Sequence, residues 1–388
     1  MQDNLFDNTE IGFKDKSIFD LYRGYFIFKI ISFPRIVSIS KFILSFKLIY
    51  PLTKLILKST MLKQFCGGEN EDDCKDIIND LNTRHVYSIL DYSVEGLENE
   101  VSFDETVSRT INLIKLNTNN NFPFIVFKPT GIGRFDLYDK ISSNTNLSDK
   151  ENIEWSKVKF RYDAICNAAL ANNVSVLIDA EESWIQSSID EIYENLILKY
   201  NSKKAIVYNT VQSYRIDRLE YIEKLYHSFS TSDVHIGIKL VRGAYMEKER
   251  ERSKVFNYLD PIHKSKKDTD ESFNNCMTFM FKNVQLFSVF IGSHNEESNY
   301  LALEFINKYN IIKDKVWFSQ LYGMSDHITY NLSNQGYNVA KYLPFGPFKG
   351  VIPYLFRRAE ENTAVEGQTS RELFLYAKEI KRRNHSKL

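Results

Sequence analysis

The segment from Tyr342 to Asn362 reads YLPFGPFKGVIPYLFRRAEEN, an apolar run that leads into a helical pattern. After Pro353 it contains neither glycine nor proline, so we predict a helix from that point. Side chains three, four and seven positions apart share one face of an α-helix. This spacing holds for Tyr354, Arg357, Arg358 and Glu361. The segment therefore predicts a strand followed by a helix that presents two adjacent guanidinium groups.

Two adjacent arginines on one helix face repel each other unless an anion lies opposite them. The planar guanidinium group binds a carboxylate through two hydrogen bonds, so the pair indicates a site for a small carboxylate or a phosphate. The alternative is a solvated helix face on which Glu361 pairs with Arg357. The helix by itself leaves both interpretations open.

Eight short runs rich in apolar residues, the last of which enters this segment, are separated by stretches long enough for a helix. The runs are 85–92, 123–131, 174–183, 204–214, 235–245, 285–295, 315–324 and 337–346. Most of them are continuous apolar stretches, which is typical of parallel strands buried on both faces. Eight strand–helix units are the number found in a (β/α)8 barrel, so we predict an α/β fold of this TIM-like type.

Polar side chains lie at or near the carboxyl end of each run. They are Asp91, Lys128, Asp179, Gln212, Arg242, His294, Gln320 and Tyr342. In a (β/α)8 barrel this end of the strands carries the active site. We therefore expect these side chains to share one functional face.

Composition and cysteine spacing narrow the class of protein. The chain has 50 basic and 50 acidic residues, and without a basic–aromatic module we expect no nucleic-acid partner. The cysteines are Cys66, Cys74, Cys166 and Cys276. Their spacing indicates neither a disulfide framework nor a metal site. Because the N-terminus is polar and contains acids, unlike a secretory signal, we predict a cytoplasmic location.

The stretch from Arg23 to Gly68 is rich in Ile, Leu and Phe and has no acidic residue. Lysines interrupt it so often that no apolar run reaches the roughly 18 residues needed to span a bilayer. We favour a helical subdomain that packs against the main domain. The alternative is a basic, aromatic surface that lies on anionic lipid. The two interpretations are compatible if one face of the segment packs on the main domain and another contacts lipid.

The familiar catalytic motifs do not occur. KPTGIGRF (128–135) lacks the third glycine of a dinucleotide fingerprint and the GK[ST] of a P-loop, and there is no HExxH or GxSxG. His294 has no second histidine at ligand spacing, so we predict no metal. Lys128 adds a cation to the arginine pair and Asp179 adds an anion, which together suit an amino acid. Such a site needs a cofactor for difficult chemistry.

Several motifs resemble the proline dehydrogenase family. They are LDYSVEG (90–96), DAEES (179–183), LVRGAYMEKER (240–250), SHNE (293–296), FSQLYGM (318–324) and the segment 342–362. The resemblance runs in order from about Phe65 to Thr369. It implies a distorted (β/α)8 barrel that binds FAD without a covalent bond, with the final helix over the barrel mouth. We accordingly expect an N-terminal helical segment, 1–84, and an FAD-binding catalytic barrel, 85–388.

The resemblance also implies roles for individual residues. Arg357, Arg358 and Lys128 would bind the proline carboxylate, and Asp179 would pair with Lys128. Tyr342 and Tyr354 would pack on the pyrrolidine ring, and Tyr245 would line the pocket. Contacts with FAD would come from Gln212, Lys239, Val241, Arg242, Gly243, Ala244, His294, Asn295 and Gln320. Glu361 would support the arginine pair and the cofactor.

The implied reaction is hydride transfer from C5 of L-proline to flavin N5, which gives Δ1-pyrroline-5-carboxylate. The electrons would pass to a membrane quinone, with a peripheral contact on the inner face of the cytoplasmic membrane. A separate dehydrogenase would consume the product. The alternatives are a hydroxyproline dehydrogenase, against which the bulk of Tyr342 argues, and a catalytically silent, membrane-associated barrel protein.

Two features depart from the family pattern. Bacterial bifunctional members carry arginine at the position of Lys239, and the KLVRGAY form resembles the eukaryotic-type branch. The charged segment 260–270 matches only loosely. It suits either a solvated connection, which we favour, or a lid that contacts the cofactor.

Overall fold

The strands form one eight-stranded sheet. A computed structural model of the chain describes residues 4–33, 55–93, 98–117, 122–364 and 368–385, with the backbone alone for 359–364 and 368. Its strands are β1 (Val86–Tyr92), β2 (Phe124–Phe127), β3 (Ser175–Ile178), β4 (Val207–Gln212), β5 (Ile236–Val241), β6 (Phe287–Gly292), β7 (Val316–Leu321) and β8 (Asn338–Phe345). They lie in the order β1-β8-β7-β6-β5-β4-β3-β2. The chain has the predicted α/β fold, a nearly closed (β/α)8 barrel of the TIM-like type.

At least one helix follows each strand along the chain. Before the first strand come α1 (Thr9–Gly12), α2 (Ile18–Ile31) and α3 (Lys75–Thr83). The later helices are α4 (Glu100–Lys115), α5 (Phe135–Ser142), α6 (Asp149–Ala171), α7 (Ser183–Tyr200), α8 (Arg218–Phe229), α9 (Met246–Phe256), α10 (Lys266–Lys282), α11 (Glu296–Lys308), α12 (Asp326–Asn334), α13 (Phe348–Ala364) and α14 (Gln368–His385).

Each predicted run contains one observed strand. β2, β3 and β4 are buried along their whole length, as expected for parallel strands covered on both faces. Phe127 of β2 is opposite Ile178 of β3, and both strands end there. The residues that follow, Lys128 and Asp179, therefore begin loops at the same edge of the sheet.

Short-range hydrogen bonds define several helix starts. Ser17, Ser148 and Ser265 each accept an amide three residues ahead, and the acid at that position bonds back to the serine amide. The last of these boxes starts α10 inside the charged segment 260–270. Within the same segment Ile262 is buried and forms an antiparallel bridge with Arg215. Our expectation of a solvated connection is therefore wrong at Ile262, because its apolar side chain packs in the core.

The chain divides into two compact units. The second unit comprises residues 94–293 and 297–317. In its core the Phe124 ring packs edge-on against Tyr208, Phe290 and Trp317, with centroids 5.0 to 5.3 Å apart. Such edge-to-face packing suits the quadrupoles of aromatic rings, and it fills the space between β2, β4, β6 and β7.

The first unit comprises residues 1–93, 294–296 and 318–388, and its core joins α2 to the C-terminal helices. Leu21 and Phe28 of α2 pack with Val351 of α13 and Tyr376 of α14. At Gly24 a Cβ would lie 2.5 Å from the Tyr376 ring, so α2 and α14 approach closely because this residue is glycine. This supports a packed helical subdomain for residues 18–31. The part of the predicted surface at 34–54 lies outside the described residues.

The helix that carries the arginine pair starts earlier than we predicted, and it is not the final helix. α13 begins at Phe348, before Pro353, and α14 follows it. A proline inside a helix removes one backbone hydrogen bond and disfavours helix just before it, but here Val351 and Leu355 are buried and their packing outweighs this loss. The predicted division at residue 84 stays a prediction, as does a position of α13 over the barrel mouth.

Two further predictions concern membranes and cysteines. Among the residues that the structure describes, none of the helices combines the length and hydropathy needed to cross a lipid bilayer. All four cysteines are buried and free, which confirms that the chain has no disulfide framework.

Candidate functional site

The predicted polar residues lie where the strands end. Lys128 follows β2, Asp179 follows β3, Gln212 ends β4 and Arg242 follows β5. Asp91 and Gln320 each stand one residue before the end of a strand, and His294 follows β6 by two residues. Tyr342 lies inside β8, three residues before its end. The phasing of the strands predicted from the sequence is therefore confirmed.

In the second unit Asp179 forms an ion pair with Lys239. The Lys239 Nζ lies 2.5 Å from Asp179 Oδ1, and both side chains are largely buried. Charge-assisted hydrogen bonds of this kind are short and strong in a partly dry environment. The sequence predicted both residues for the site but not their pairing. The expected pair of Asp179 with Lys128 stays a prediction.

The DAEES segment also holds the loop that carries Lys128. Glu181 is 4% exposed and accepts the Thr130 hydroxyl at 2.6 Å and the Thr130 amide at 3.0 Å. Burial raises the pKa of Glu181 to about 7, although Thr130 and the charge of Lys128 act in the opposite direction. Glu181 lies within the DAEES motif, but we predicted no role for it.

We expect Glu181→Gln to become more stable than the parent chain as the pH rises. The carboxyl has an ordinary pKa of 4.5 and keeps its proton up to about pH 7 in the folded chain, so stability falls between these pH values and stays lower above them. The difference should approach about 3 kcal/mol above pH 7. Urea unfolding of both proteins from pH 4.5 to 8 measures it.

Thr130→Val serves as a control of opposite sign. It removes a donor that favours the ionised carboxylate, so the folded-state pKa of Glu181 should rise. The pH range over which stability is lost should therefore extend to higher pH. A free-energy difference between Glu181→Gln and the parent chain that does not vary with pH would contradict the assignment.

Helix α9 is attached to the same segment. Glu249, which is fully buried, accepts the Ser183 amide at 2.6 Å and the Ser183 hydroxyl at 2.5 Å. Lys248 donates to Glu182 at 2.7 Å. Glu249 thereby satisfies an amide at the start of α7, as a capping residue does. Since Tyr245 is the residue before α9, these bonds also position the turn that carries Tyr245.

The turn after β5 is tightly held. Arg242 donates to Asp270, Ser293 and Ser298 at 2.6, 2.8 and 3.0 Å. Gly243 has a φ of +128°, and a Cβ there would lie 2.5 Å from the Tyr214 ring. Only glycine suits this position. The backbone conformation therefore requires a glycine directly after Arg242 in the LVRGAY motif.

Gln212 and Val241 are opposite each other on β4 and β5. The Gln212 amide nitrogen donates to the Glu181 carbonyl at 2.7 Å, so the end of β4 is joined to the DAEES segment as well. Ala244 is exposed. Among the predicted residues of the second unit, Asp179 binds Lys239. Gln212 binds the backbone carbonyl of Glu181, two residues after Asp179.

In the first unit His294 and Gln320 belong to one hydrogen-bonded cluster. The His294 Nδ1 lies 2.9 Å from the Ser325 hydroxyl, and the Thr329 hydroxyl donates to Gln320 Oε1 at 2.7 Å. This bond fixes the orientation of the Gln320 amide. Neither Ser325 nor Thr329 was predicted, and both lie just beyond the FSQLYGM motif. Asn295 is half-buried next to His294.

The stripe predicted on α13 is observed as far as its side chains are described. Tyr354 is buried, Arg357 and Arg358 are half-buried, and the Arg358 guanidinium carbon lies 5.2 Å from the centre of the Tyr354 ring. Such a contact is attractive and orients the guanidinium plane. Tyr342 is buried. The side chain of Glu361 lies outside the described residues.

The residues of each unit fit FAD by the chemistry of their donors. A pyrophosphate needs cations, and the flavin ring needs hydrogen-bond donors for its carbonyls and ring nitrogens. Lys239 and Arg242 supply cations in the second unit. The Gln320 amide nitrogen supplies donors in the first unit because its oxygen accepts from Thr329.

The fold is similar to that of a known enzyme structure. It matches proline utilization A (PutA) from Bdellovibrio bacteriovorus inactivated by N-propargylglycine, with a TM-score of 0.71 and 18% sequence identity. The match covers 82% of this chain and 34% of that one. This chain thus spans about a third of the PutA chain, and the likeness supports the fold alone.

Curated relatives share more sequence with this chain. The carbapenem antibiotics biosynthesis protein CarD of Pectobacterium carotovorum is 32% identical over 82% of this chain and 83% of its own length. Proline dehydrogenase 1, mitochondrial, of Dictyostelium discoideum is 31% identical over 97% and 74%. Hydroxyproline dehydrogenase of Xenopus laevis is 29% identical over 96% and 88%.

A family model described as proline dehydrogenase matches residues 74–371. The match covers most of the chain, including β1 to β8, the DAEES segment, the turn after β5 and the whole of α13. The chain therefore belongs to the proline dehydrogenase family.

Proposed function

We propose that this chain is an FAD-dependent proline dehydrogenase that oxidises L-proline to Δ1-pyrroline-5-carboxylate, the first step of proline catabolism to glutamate. The observation that carries the proposal is the half-buried arginine pair of α13, with Arg358 against the Tyr354 ring. Adjacent cations beside aromatic rings suit a carboxylate attached to a small apolar ring. Membership of the family supports the same substrate.

The substrate would be held mainly by cations and phenol rings. Arg357, Arg358 and Lys128 bind the carboxylate of proline in this proposal. Tyr342 and Tyr354 pack on the pyrrolidine ring, and Tyr245 lines the pocket. These contacts supply proximity and orientation rather than acid–base catalysis. Both Tyr342 and Tyr354 are buried, which limits the positions that their rings can adopt.

Asp179 has a double role in this proposal. It is bonded to Lys239 in the structure, and we propose that it also pairs with Lys128. A short, charge-assisted bond of this kind orients both of its members. Asp179 would thereby position Lys239 next to the cofactor.

FAD, when bound, supplies the acceptor for the hydride that leaves C5 of proline. We propose that its contacts come from residues at or near the strand ends. The residues are Gln212, Lys239, Val241, Arg242, Gly243, Ala244, His294, Asn295, Gln320 and Glu361. The buried Glu181 and Glu249 act behind them by holding the Thr130 loop and α9.

The electron acceptor that we propose is a membrane quinone, reached by a peripheral contact with the inner face of the cytoplasmic membrane. The support is the outward face of α2. Its side chains there are Phe19, Phe26 and Ile30, with exposures of 71%, 59% and 51%. An apolar face of this kind beside Lys29 suits a lipid interface. The product would pass to a separate pyrroline-5-carboxylate dehydrogenase.

A second candidate is hydroxyproline as the substrate, because one relative is a hydroxyproline dehydrogenase. The buried phenol of Tyr342 argues against it, since a ring hydroxyl would need space and a polar partner there. A catalytically silent barrel is the third alternative. The polar residues at the strand ends argue against it, since their specific pairing serves no purpose in a mere scaffold.

One experiment separates these possibilities. The full chain is purified with FAD and mixed anaerobically with L-proline or with hydroxyproline. We expect a yellow protein whose flavin absorbance is bleached by L-proline and much more slowly by hydroxyproline. Protein that takes up no FAD, or bound flavin that L-proline leaves oxidised, would contradict the proposal. Faster bleaching by hydroxyproline would favour the second candidate.

A further inference from the structure

The turn between β7 and α12 has an unusual backbone. Ser325 precedes α12 with a φ of +50°, a left-handed conformation that is unfavourable for a residue with a Cβ. The amide of Ser325 donates to Glu372 Oε1 at 2.6 Å. Glu372 belongs to α14 and is 2% exposed. The carboxylate of a distant helix thus stabilises the strained residue.

The side chain of Ser325 in turn fixes the ring of His294. The backbone N–H of Leu321 donates to Nε2 of the ring at 3.4 Å, so Nε2 acts as an acceptor and carries no proton. The proton is therefore on Nδ1, 2.9 Å from the Ser325 hydroxyl. Since a hydroxyl can accept or donate, the Leu321 amide sets the tautomer, and Ser325 holds the ring where that bond can form.

The same turn orients Gln320. The Ser325 carbonyl accepts the Thr329 amide at 3.1 Å and the Thr329 hydroxyl at 3.3 Å. The single proton of this hydroxyl is shared with Gln320 Oε1, which lies closer, at 2.7 Å. Ser325 therefore contacts His294 directly and Gln320 through one intermediate, and both residues are among the proposed FAD contacts.

We propose that Glu372 is a positioning residue of the flavin site: by binding the Ser325 amide it holds the turn that keeps the His294 ring against the Leu321 amide and orients Gln320. The relevance of this role to FAD rests on the proposed function. Glu372 lies one residue beyond the region matched by the family model. It is neither a substrate contact nor a cofactor contact in our proposal.

The charges around Glu372 explain why the turn depends on it. Asp326, the next residue after Ser325, is bound by Lys341 and Lys16. Lys341 also faces Glu372, as does His327. The turn is therefore held at the Asp326 carboxylate and at the Ser325 amide, and the second of these bonds is made by the residue with the left-handed backbone.

The adjacent residue of α14 holds the neighbouring part of the same motif. Arg371 donates to Glu296 at 2.7 Å, and His327 Nε2 lies 2.9 Å from the same carboxylate. His294 and Glu296 of the SHNE motif are thus both held by α14, the first through Ser325 and the second directly. A substitution of Glu372 alone should therefore disturb His294 and leave Glu296 in place.

The test is the protonation of the His294 ring in the full-length chain. Ring ¹⁵N spectra of histidine-labelled protein, assigned with a His294→Gln variant, are recorded with and without FAD. In the parent chain we expect a protonated Nδ1 and an unprotonated Nε2. In Glu372→Ala the two ring nitrogens should give averaged signals, and FAD should bind about tenfold more weakly.

Two further variants complete the test. Glu379→Ala is the matched control, since Glu379 is buried on the same helix and binds Arg382 and Arg383 instead. We expect it to leave the His294 signals unchanged. Ser325→Ala removes the hydroxyl alone and should average the ring signals even if Glu372→Ala does not fold.

The outcomes can be told apart from those of the proposed function. Unchanged His294 signals in Glu372→Ala or in Ser325→Ala would overturn the inference, whether or not the chain oxidises proline. Equal changes in Glu372→Ala and Glu379→Ala would also overturn it, because they would show a general loosening of α14. A chain that fails to bind FAD would refute the proposed function and leave the ring spectra as the measure of positioning.

Discussion

Replacing both Arg357 and Arg358 by methionine is expected to raise the KM for L-proline by about a hundredfold or more. Each guanidinium group can donate charge-assisted hydrogen bonds to a carboxylate, and a half-buried position screens them less than bulk water does. Methionine keeps the length and the apolar contacts of the stem. The loss should therefore report the charges and not a collapse of the helix.

The single variants refine this result. Arg358 lies over the Tyr354 ring, so Arg358→Lys keeps the charge but loses the planar group that stacks there. We expect its KM to lie between those of the parent chain and of Arg358→Met. Steady-state kinetics with L-proline at fixed acceptor concentration measure all of these effects, and the FAD content is determined in parallel.

Arg134→Met is a suitable control because Arg134 is also half-buried, with 34% of its side chain exposed, and forms ion pairs with Asp136 and Glu154. It removes a guanidinium group that has no part in the proposed substrate site, so its KM should match that of the parent chain. If the double variant also kept the KM of the parent, the arginine pair would have a role other than binding the substrate.

Replacing Asp326 is expected to lower the stability of the chain strongly. This carboxylate is buried between Lys341, at 2.8 Å, and Lys16, at 3.0 Å. Asp326→Asn leaves Lys341 as a fully buried charge without its carboxylate partner. We expect the free energy of unfolding to fall by about 3–5 kcal/mol. Urea unfolding monitored by circular dichroism measures it.

The pH dependence of the parent chain gives an independent check. Burial opposes ionisation of Asp326, but the charges of Lys16 and Lys341 outweigh it and hold the pKa of Asp326 well below its usual range. The ion pair therefore contributes fully above the ordinary aspartate pKa of 3.8, and its contribution is lost as the pH falls further. Asp326→Asn should lack this part of the acid-induced loss of stability.

A double variant shows whether the effect comes from an unpaired charge. Asp326→Leu combined with Lys341→Met removes both charges and should recover most of the stability that a single replacement loses. A double variant as unstable as the sum of the two singles would show that the ion pair is not the cause. The two positions would then contribute independently through packing.

Much of the fold was predictable because the signals for it are local. A parallel strand buried on both faces requires a continuous apolar run, and each of the eight runs contains a strand. The capping boxes at Ser17, Ser148 and Ser265 were equally local. The start of α13 was not predicted correctly, because the packing of Val351 and Leu355 overrides the preference of Pro353.

The positions of the candidate site residues along the strands were predictable, but the contacts between these residues were not. That Asp179 lies near a strand end followed from the phasing of the runs, and the resemblance to the family assigned Lys239 to the site. That they bind each other followed from neither, because several acids and several cations occupy the same edge of the sheet. For Glu181 the only signal was its place in DAEES, and for Glu372 the sequence contained none.

The amino-acid sequence by itself determined the strand and helix order, the polar residues at the strand ends and the family. Only the tertiary structure decided which of these residues bind one another: Asp179 with Lys239, Ser183 with Glu249, and Ser325 with Glu372. The physical reason is the range of the interactions. Burial patterns and caps act over a few residues, whereas a pair such as Ser325 and Glu372, 47 positions apart, forms only after the backbone has brought its two helices together.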